Sequence, residues 1–301
     1  MKKQLITSQI FLLIVSLIFG ANYWISKSLM PDYLNPFQLL IIRTGGAAAI
    51  IWIIQIFAKK EKVVFNDLVL LAVCALFGIA FNQGFLYIGL NKTSPFDASI
   101  IHTANPLIVM LIAAVAIKEK ITLLKSFGIL LGLSGALFLI LTSNHSSNNM
   151  SSLIGNLFIF ANGASYAIYL VLVKPLMKKY TTMTVLKWVF LFGFLFSLPF
   201  TKGSNLVVNW SVFSSFQWFS LFYIIILNSI VAYFLIVYAL KHVTASIVGY
   251  YTYLQPLIVA IIGIISGTEF PSWIKVFSAM LIFAGVYLIN KKSDYSIPQK
   301  K

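Results

Sequence analysis

One membrane-type segment of this chain occurs twice, 150 residues apart: Asn105-Pro106-Leu107-Ile108-Val109 returns as Gln255-Pro256-Leu257-Ile258-Val259. With the same shift and no gap, Leu90 falls on Leu240, Ile112 on Ile262, Glu119 on Glu269, Lys125 on Lys275, Phe127 on Phe277, Leu131 on Leu281 and Gly135 on Gly285. Internal duplication within apolar sequence is the signature of secondary transporters, whose halves enclose a two-sided path.

The repeat lies in a chain that is 60% hydrophobic and 10% charged over 301 residues, with mean hydropathy +0.93. A soluble domain of this length cannot hide so much apolar surface. Ten apolar runs are long enough to cross a bilayer, at 9–28, 36–58, 67–90, 96–117, 122–142, 153–174, 182–200, 215–240, 245–266 and 273–290. The expected fold is an all-α membrane protein of ten transmembrane helices in a five-plus-five inverted repeat. Residues 1–142 form the first half, 143–152 a polar connecting loop, 153–292 the second half and 293–301 a cytoplasmic tail. Lys2-Lys3 and the apolar stretch after them resemble a signal peptide. A cleavage site needs small residues at −3 and −1, and Phe19 is not small, so a retained first helix is expected.

The net charge of +15 does not point to nucleic acid, because the lysines sit in short clusters between apolar runs. With the N-terminus inside, 17 lysines fall on inner segments and 4 on outer ones, with Arg43 left within a span. Both termini are therefore expected in the cytoplasm. Five spans per half make the halves antiparallel: Lys118 and Lys120 lie at an inner end, while their mates Thr268 and Phe270 lie outside and carry no charge. Cys74 is a lone core residue, so no disulfide, metal or redox site is expected. No H-E-x-x-H, G-x-S-x-G or P-loop occurs, and no cofactor or catalysis is expected.

Polar residues inside the apolar runs are the candidate site. Pro106 and Pro256 fall near the middle of spans 4 and 9 and free the carbonyls of His102 and Thr252. Lipid offers those carbonyls no partner, so protein or a wet cavity must. Ser99, His102 and Asn105 share one helix face, as do Gly249, Thr252 and Gln255. These faces fit either a central cavity or a kink whose amides bind neighbouring helices. Arg43 lies about two turns inside span 2, where insertion costs about 2.5–3.5 kcal/mol unless it faces protein or water. It either binds a substrate carboxylate or serves as an internal tie. Asp97 either caps the helix that begins Ser94-Pro95 or carries a coupling proton, and His102 is the other proton candidate. Asn22, Trp24, Tyr166, Tyr233 and Tyr251 complete the expected substrate contacts, with Pro106 and Pro256 as hinges. Asn82, Gln83, Asn162, Asn228 and Ser229 are further polar groups within the membrane. Gly128, Gly132 and Gly135 give span 5 a smooth face for close helix contact.

Taken in order, several loose motifs resemble the EamA-type permeases of the drug/metabolite transporter superfamily, over nearly the whole chain. They are Gly20-Ala21-Asn22-Tyr23 with Lys27, Pro36 with Arg43, Gly89-Leu90 and Ala239-Leu240 ahead of Pro106 and Pro256, Glu119 and Glu269, the glycines at 128, 135 and 285, and Ser229 to Tyr233. Phe19 stands where the family often has Trp. The resemblance implies a carrier of the bacterial inner membrane, usually an exporter of amino acids or related small metabolites. Some such carriers move drugs, nucleotide-like compounds or vitamins. The implied partners are a small-molecule substrate and the lipid bilayer; monomer and homodimer both stay open.

Overall fold

The computed structural model describes residues 2–57, 61–105, 107–109, 111–112, 123–142, 152–243, 247–248, 251–268 and 270–290. Pro106, Glu119, Glu269, Gly249, Tyr250, the connecting loop over 143–151 and the tail from 291 lie outside these residues. The described residues are mostly helical, with no strand among them. The helices are α1 (Lys2–Leu29), α2 (Pro36–Ile56), α3 (Phe65–Ala75), α4 (Asn82–Lys92), α5 (Pro95–His102), α6 (Leu123–Thr142), α7 (Leu153–Lys179), α8 (Thr182–Ser197), α9 (Ser215–Phe222), α10 (Ala232–Leu240), α11 (Leu254–Ser266) and α12 (Trp273–Asn290). Among the described residues six helical stretches are long and apolar enough to cross a membrane: Gln4–Leu29, Pro36–Ile56, Phe65–Lys92, Leu153–Lys179, Thr182–Thr201 and Ser215–Leu240. Ser126–Thr142, Leu254–Ser266 and Trp273–Gly285 are shorter apolar helices.

Local chemistry fixes the helix starts. The Asn35 side chain accepts from Phe37 N and Gln38 N, Gln38 returns the bond to Asn35 N, and Pro36 takes a position needing no amide donor. Ser94 and Ser152 cap α5 and α7 through Asp97 N at 3.1 Å and Gly155 N at 3.0 Å. At the other end of α4, Lys27 Nζ donates to Leu90 O at 2.8 Å and to Asn91 O and Thr93 O at 3.2 Å. A cation there also opposes the negative pole of the helix.

Two long spans change pitch midway. Leu76–Phe81 joins α3 to α4 as a π turn, and Tyr223–Val231 joins α9 to α10 in the same way. A shift of 150 carries the first to 226–231, inside the second. The fourth and ninth apolar runs are not the continuous helices their length suggests. Turns at Thr103–Ala104 and Thr252–Tyr253 break them, at positions one residue apart under the repeat shift. Pro256 accordingly sits not at a mid-helix kink but in the first turn of α11, where its missing N–H removes no helical bond. The carbonyl it would have orphaned, Thr252 O, accepts from Gln255 N at 3.1 Å.

The halves interleave. α1 packs against α10 and α11, α2 against α8 and the second π turn, and α4 against α7. α6 packs on α12 with glycines at the closest approach: a Cβ on Gly285 would stand 2.5 Å from Gly128 O and Gly132 N, and one on Gly135 2.8 Å from Ser278 O. Backbone cannot yield as a flexible side chain can. Gly285→Ala should therefore cost about 1–3 kcal/mol through overpacking, seen as a lower thermal midpoint in detergent. Ser134→Ala, on the exposed face of α6, should leave the midpoint unchanged.

Candidate functional site: a polar cavity between two apolar clusters

Three spans of the first half cross between two separate apolar clusters. On α1, Leu12, Val15 and Ile18 belong to one cluster and Tyr23 and Leu29 to the other. On α2 the division falls between Ala47–Ile51 and Leu39–Leu40, and on the third span between Leu71–Ile79 and Leu86–Leu90. The residues between, Phe19, Asn22, Arg43, Asn82 and Gln83, line a cavity that, with the open solvent at its mouth, holds about 490 Å³ of empty space. Thus the polar positions of three helices meet at one level, with apolar packing on either side.

Arg43 is 1% exposed at one wall of this cavity. Nε donates to Ser229 Oγ at 2.8 Å, and Nη1 donates to Gln83 Oε1 at 2.5 Å and to Tyr87 Oη at 3.0 Å. With the Asn228 amide turned so that its oxygen faces the guanidinium, it accepts from Nη1 and Nη2 at 3.2 Å. Every one of these acceptors is neutral. Among the described residues no carboxylate lies within ion-pair distance of Arg43. The hydrogen bonds therefore aim the cation without cancelling its charge, which leaves the cavity attractive to an anion.

The opposite wall is a relay of hydrogen bonds. Asn162 Nδ2 donates to Asn82 O at 2.6 Å, and Asn82 Nδ2 donates to Asn162 O at 3.0 Å. That clasp turns Asn162 Oδ1 toward His102 Nε2, with which it makes a short contact. An amide oxygen only accepts, so Nε2 carries the hydrogen and Nδ1 accepts from the Tyr23 hydroxyl at 2.5 Å. The same hydroxyl lies 3.2 Å from Gln255 Oε1. Asn105 lies between these walls with Oδ1 buried and unpaired. Gly163 faces that oxygen, and any side chain there would collide with it.

The cavity brings together Asn22, Arg43, His102, Asn105, Tyr166, Tyr233 and Gln255. It does not include Trp24, whose indole donates to Val259 O at 3.0 Å, a carbonyl in α11 that draws the ring out of the lining. Tyr251 lines a smaller adjoining cavity with Leu12, Val15 and Ser16. Asp97 is also elsewhere. Its amide is capped by Ser94, and its carboxylate meets Lys275 Nζ of α12 at 3.1 Å. Tyr23 is the contact that sequence reasoning left unassigned, although it stands beside Asn22 in a recognised motif. Asn82, Gln83, Asn162 and Asn228, read only as polar groups within the membrane, also line the cavity.

The helix pattern agrees with the comparisons. The model of the EamA-like transporter family matches residues 6–141 and again 153–291. The chain belongs to the EamA-like transporter family. An uncharacterized transporter of Archaeoglobus fulgidus is 26% identical, covering 93% of this chain and 96% of the relative. The uncharacterized transporter YyaM of Bacillus subtilis is 25% identical, over 92% of this chain and 91% of its own. A probable terminal-alkyne amino-acid exporter of Streptantibioticus cattleyicolor is 24% identical, over 76% and 75%. A solved crystal structure superposes with a TM-score of 0.63 at 18% identity, covering 96% of this chain and 98% of that one, which speaks to the fold. The protein is a multi-pass membrane protein of a transporter family.

Asn162→Leu tests the relay. It removes the side-chain donor to Asn82 O and orphans the His102 Nε2–H, and a buried unpaired group costs about 1–3 kcal/mol. A clear fall in the thermal midpoint is expected. Trp24→Phe, which frees one carbonyl away from the cavity, should lower it less.

Proposed function

We propose that the protein is a ten-helix secondary transporter with two antiparallel five-helix halves. It exports amino acids or related small metabolites from a bacterial cell by alternating access, and both its termini are cytoplasmic. The observation that carries this reading is the charge of Arg43, buried at the cavity wall without a carboxylate partner among the described residues. A substrate carboxylate supplies the missing anion in the fork geometry that guanidinium favours. Asn22, Asn105 and Gln255 offer polar groups for the rest of the substrate, and Phe19, Tyr166 and Tyr233 offer apolar surface for a side chain. The name of the Streptantibioticus relative, a probable terminal-alkyne amino-acid exporter, supports the same substrate class.

We assign coupling to His102 rather than Asp97, because His102 lines the cavity and Asp97 is held by Lys275 outside it. A proton added at Nδ1 turns that atom from acceptor to donor. Tyr23 must then rotate its O–H from His102 toward Gln255 Oε1. A change of charge at His102 thus reaches α11 through one hydroxyl.

Two experiments follow. Cells overproducing the protein should enrich their medium in an amino acid or related carboxylate, by untargeted mass spectrometry, relative to cells making equal amounts of an Arg43→Met/Asn105→Ala variant. Enrichment by both would remove these residues from the site. In inverted vesicles, an imposed proton gradient should stimulate uptake by the wild type and by Asp97→Asn but not by His102→Gln. Equal stimulation of all three would overturn the assignment of coupling to His102.

A further inference from the structure

A second unpaired cation lies well away from the cavity, between the end of α2 and the start of α8. Lys187 Nζ stands 4.2 Å from the ring centre of Trp52 and 5.2 Å from that of Trp188. The two indoles meet edge to face at 5.6 Å and 85°, so the ammonium sits in the corner they form. Among the described residues Lys187 makes no hydrogen bond and no ion pair. The acids of that end are already engaged: Glu61 accepts from Thr181 N and Oγ1, and Asp67 pairs with Lys179 at 2.9 Å.

Depth and surroundings say what ligand fits. Trp52 precedes the end of α2 by four residues and Lys187 follows the start of α8 by five. At 1.5 Å per residue they lie about 6–8 Å inside the helix ends, the level where tryptophan gathers between headgroups and acyl chains. Ile53 and Ile56, on the same stretch of α2, are 57% and 68% exposed, as residues facing acyl chains are. A headgroup phosphate at this level would answer the ammonium charge, while its acyl chains lie along Ile53 and Ile56. Aqueous phosphate has no reason to prefer a site flanked by lipid-facing isoleucines.

We infer that Lys187, Trp52 and Trp188 form a binding site for the phosphate of an anionic phospholipid. Trp52 and Trp188 hold the lysine stem at the interface instead of letting it extend into water. The site is distinct from the transport cavity and stands whether or not the proposed substrate is correct.

The test compares retention of phosphatidylglycerol and of phosphatidylcholine with identical chains, by native mass spectrometry of the purified full-length protein. The wild type should prefer phosphatidylglycerol, and Lys187→Met should reduce its affinity for that lipid about five-fold, the effect of one interfacial cation. Lys187→Arg should keep the preference. Equal retention by wild type and Lys187→Met would overturn the site, and so would equal loss in Lys187→Met and Lys187→Arg, which would mark a packing role. A second measurement does not need Lys187 replaced. With Trp24, Trp210, Trp218 and Trp273 changed to Phe, brominated phosphatidylglycerol should quench the remaining pair more than brominated phosphatidylcholine does. Equal quenching would also overturn the proposal.

Discussion

The guanidinium of Arg43 sets the terms for the helices around it. A cation removed from water loses a large hydration energy, and neutral acceptors recover only part of it. Here those acceptors come from both halves of the chain: Gln83 and Tyr87 from α4, Asn228 and Ser229 from the second π turn. Neither half can move far from the other at this level without stranding a buried donor. The same arrangement leaves positive charge uncancelled at the cavity wall. Structural satisfaction and anion attraction are therefore compatible, because the first depends on donor geometry and the second on net charge.

The backbone defects are satisfied in the same manner. A π turn or a helix break releases carbonyls, and in a membrane these must find protein partners or a wet cavity. The first π turn gives Phe77 O to the Ser165 hydroxyl at 2.6 Å and Gly78 O to the Tyr233 hydroxyl at 3.1 Å. Both donors belong to the other half. In the second π turn the Ser229 hydroxyl donates to Ile224 O, five residues back, which leaves its oxygen free to accept from Arg43. The irregular pitch thus serves the site directly, since Ser229 reaches both partners only because the helix widens there.

Much of this was legible in the sequence, and the rest was not for physical reasons. The repeat, the apolar runs and the small set of polar residues within them need only composition and spacing. Asn105 and Gln255 were marked by the prolines after them, and Arg43 by its cost in lipid. The π turns carry no such mark: Leu76 to Phe81 reads like any apolar helix, and Asn228 and Ser229 mark polarity in Tyr223 to Val231 but not a change of pitch. Which polar group meets which also escaped, since it depends on helix rotation. Trp24 and Asn22 are two residues apart, yet one bonds Val259 O and the other lines the cavity. Asp97 was weighed as a cap or a proton carrier, each decided within one helix. Its partner Lys275 lies 178 positions away in sequence, on α12.

The pairing of Gln83 with Tyr233 shows where the halves meet. These residues are 150 apart, the repeat interval, and Gln83 Nε2 donates to the Tyr233 hydroxyl at 2.9 Å. A residue that touches its own repeat mate lies close to the axis relating the two halves. Under the proposed alternation the halves exchange conformations, so a contact on the axis maps onto itself and persists in both states. A contact away from the axis does not. The link from Tyr23 to His102 and Gln255 joins α1 to α5 and α11, and the exchange would replace it with its counterpart from the other half. The geometry thereby separates two roles within one cavity. Under that proposal the Gln83–Tyr233 bond is the part that stays while the substrate crosses, and the bonds made by Tyr23 are the part that must break.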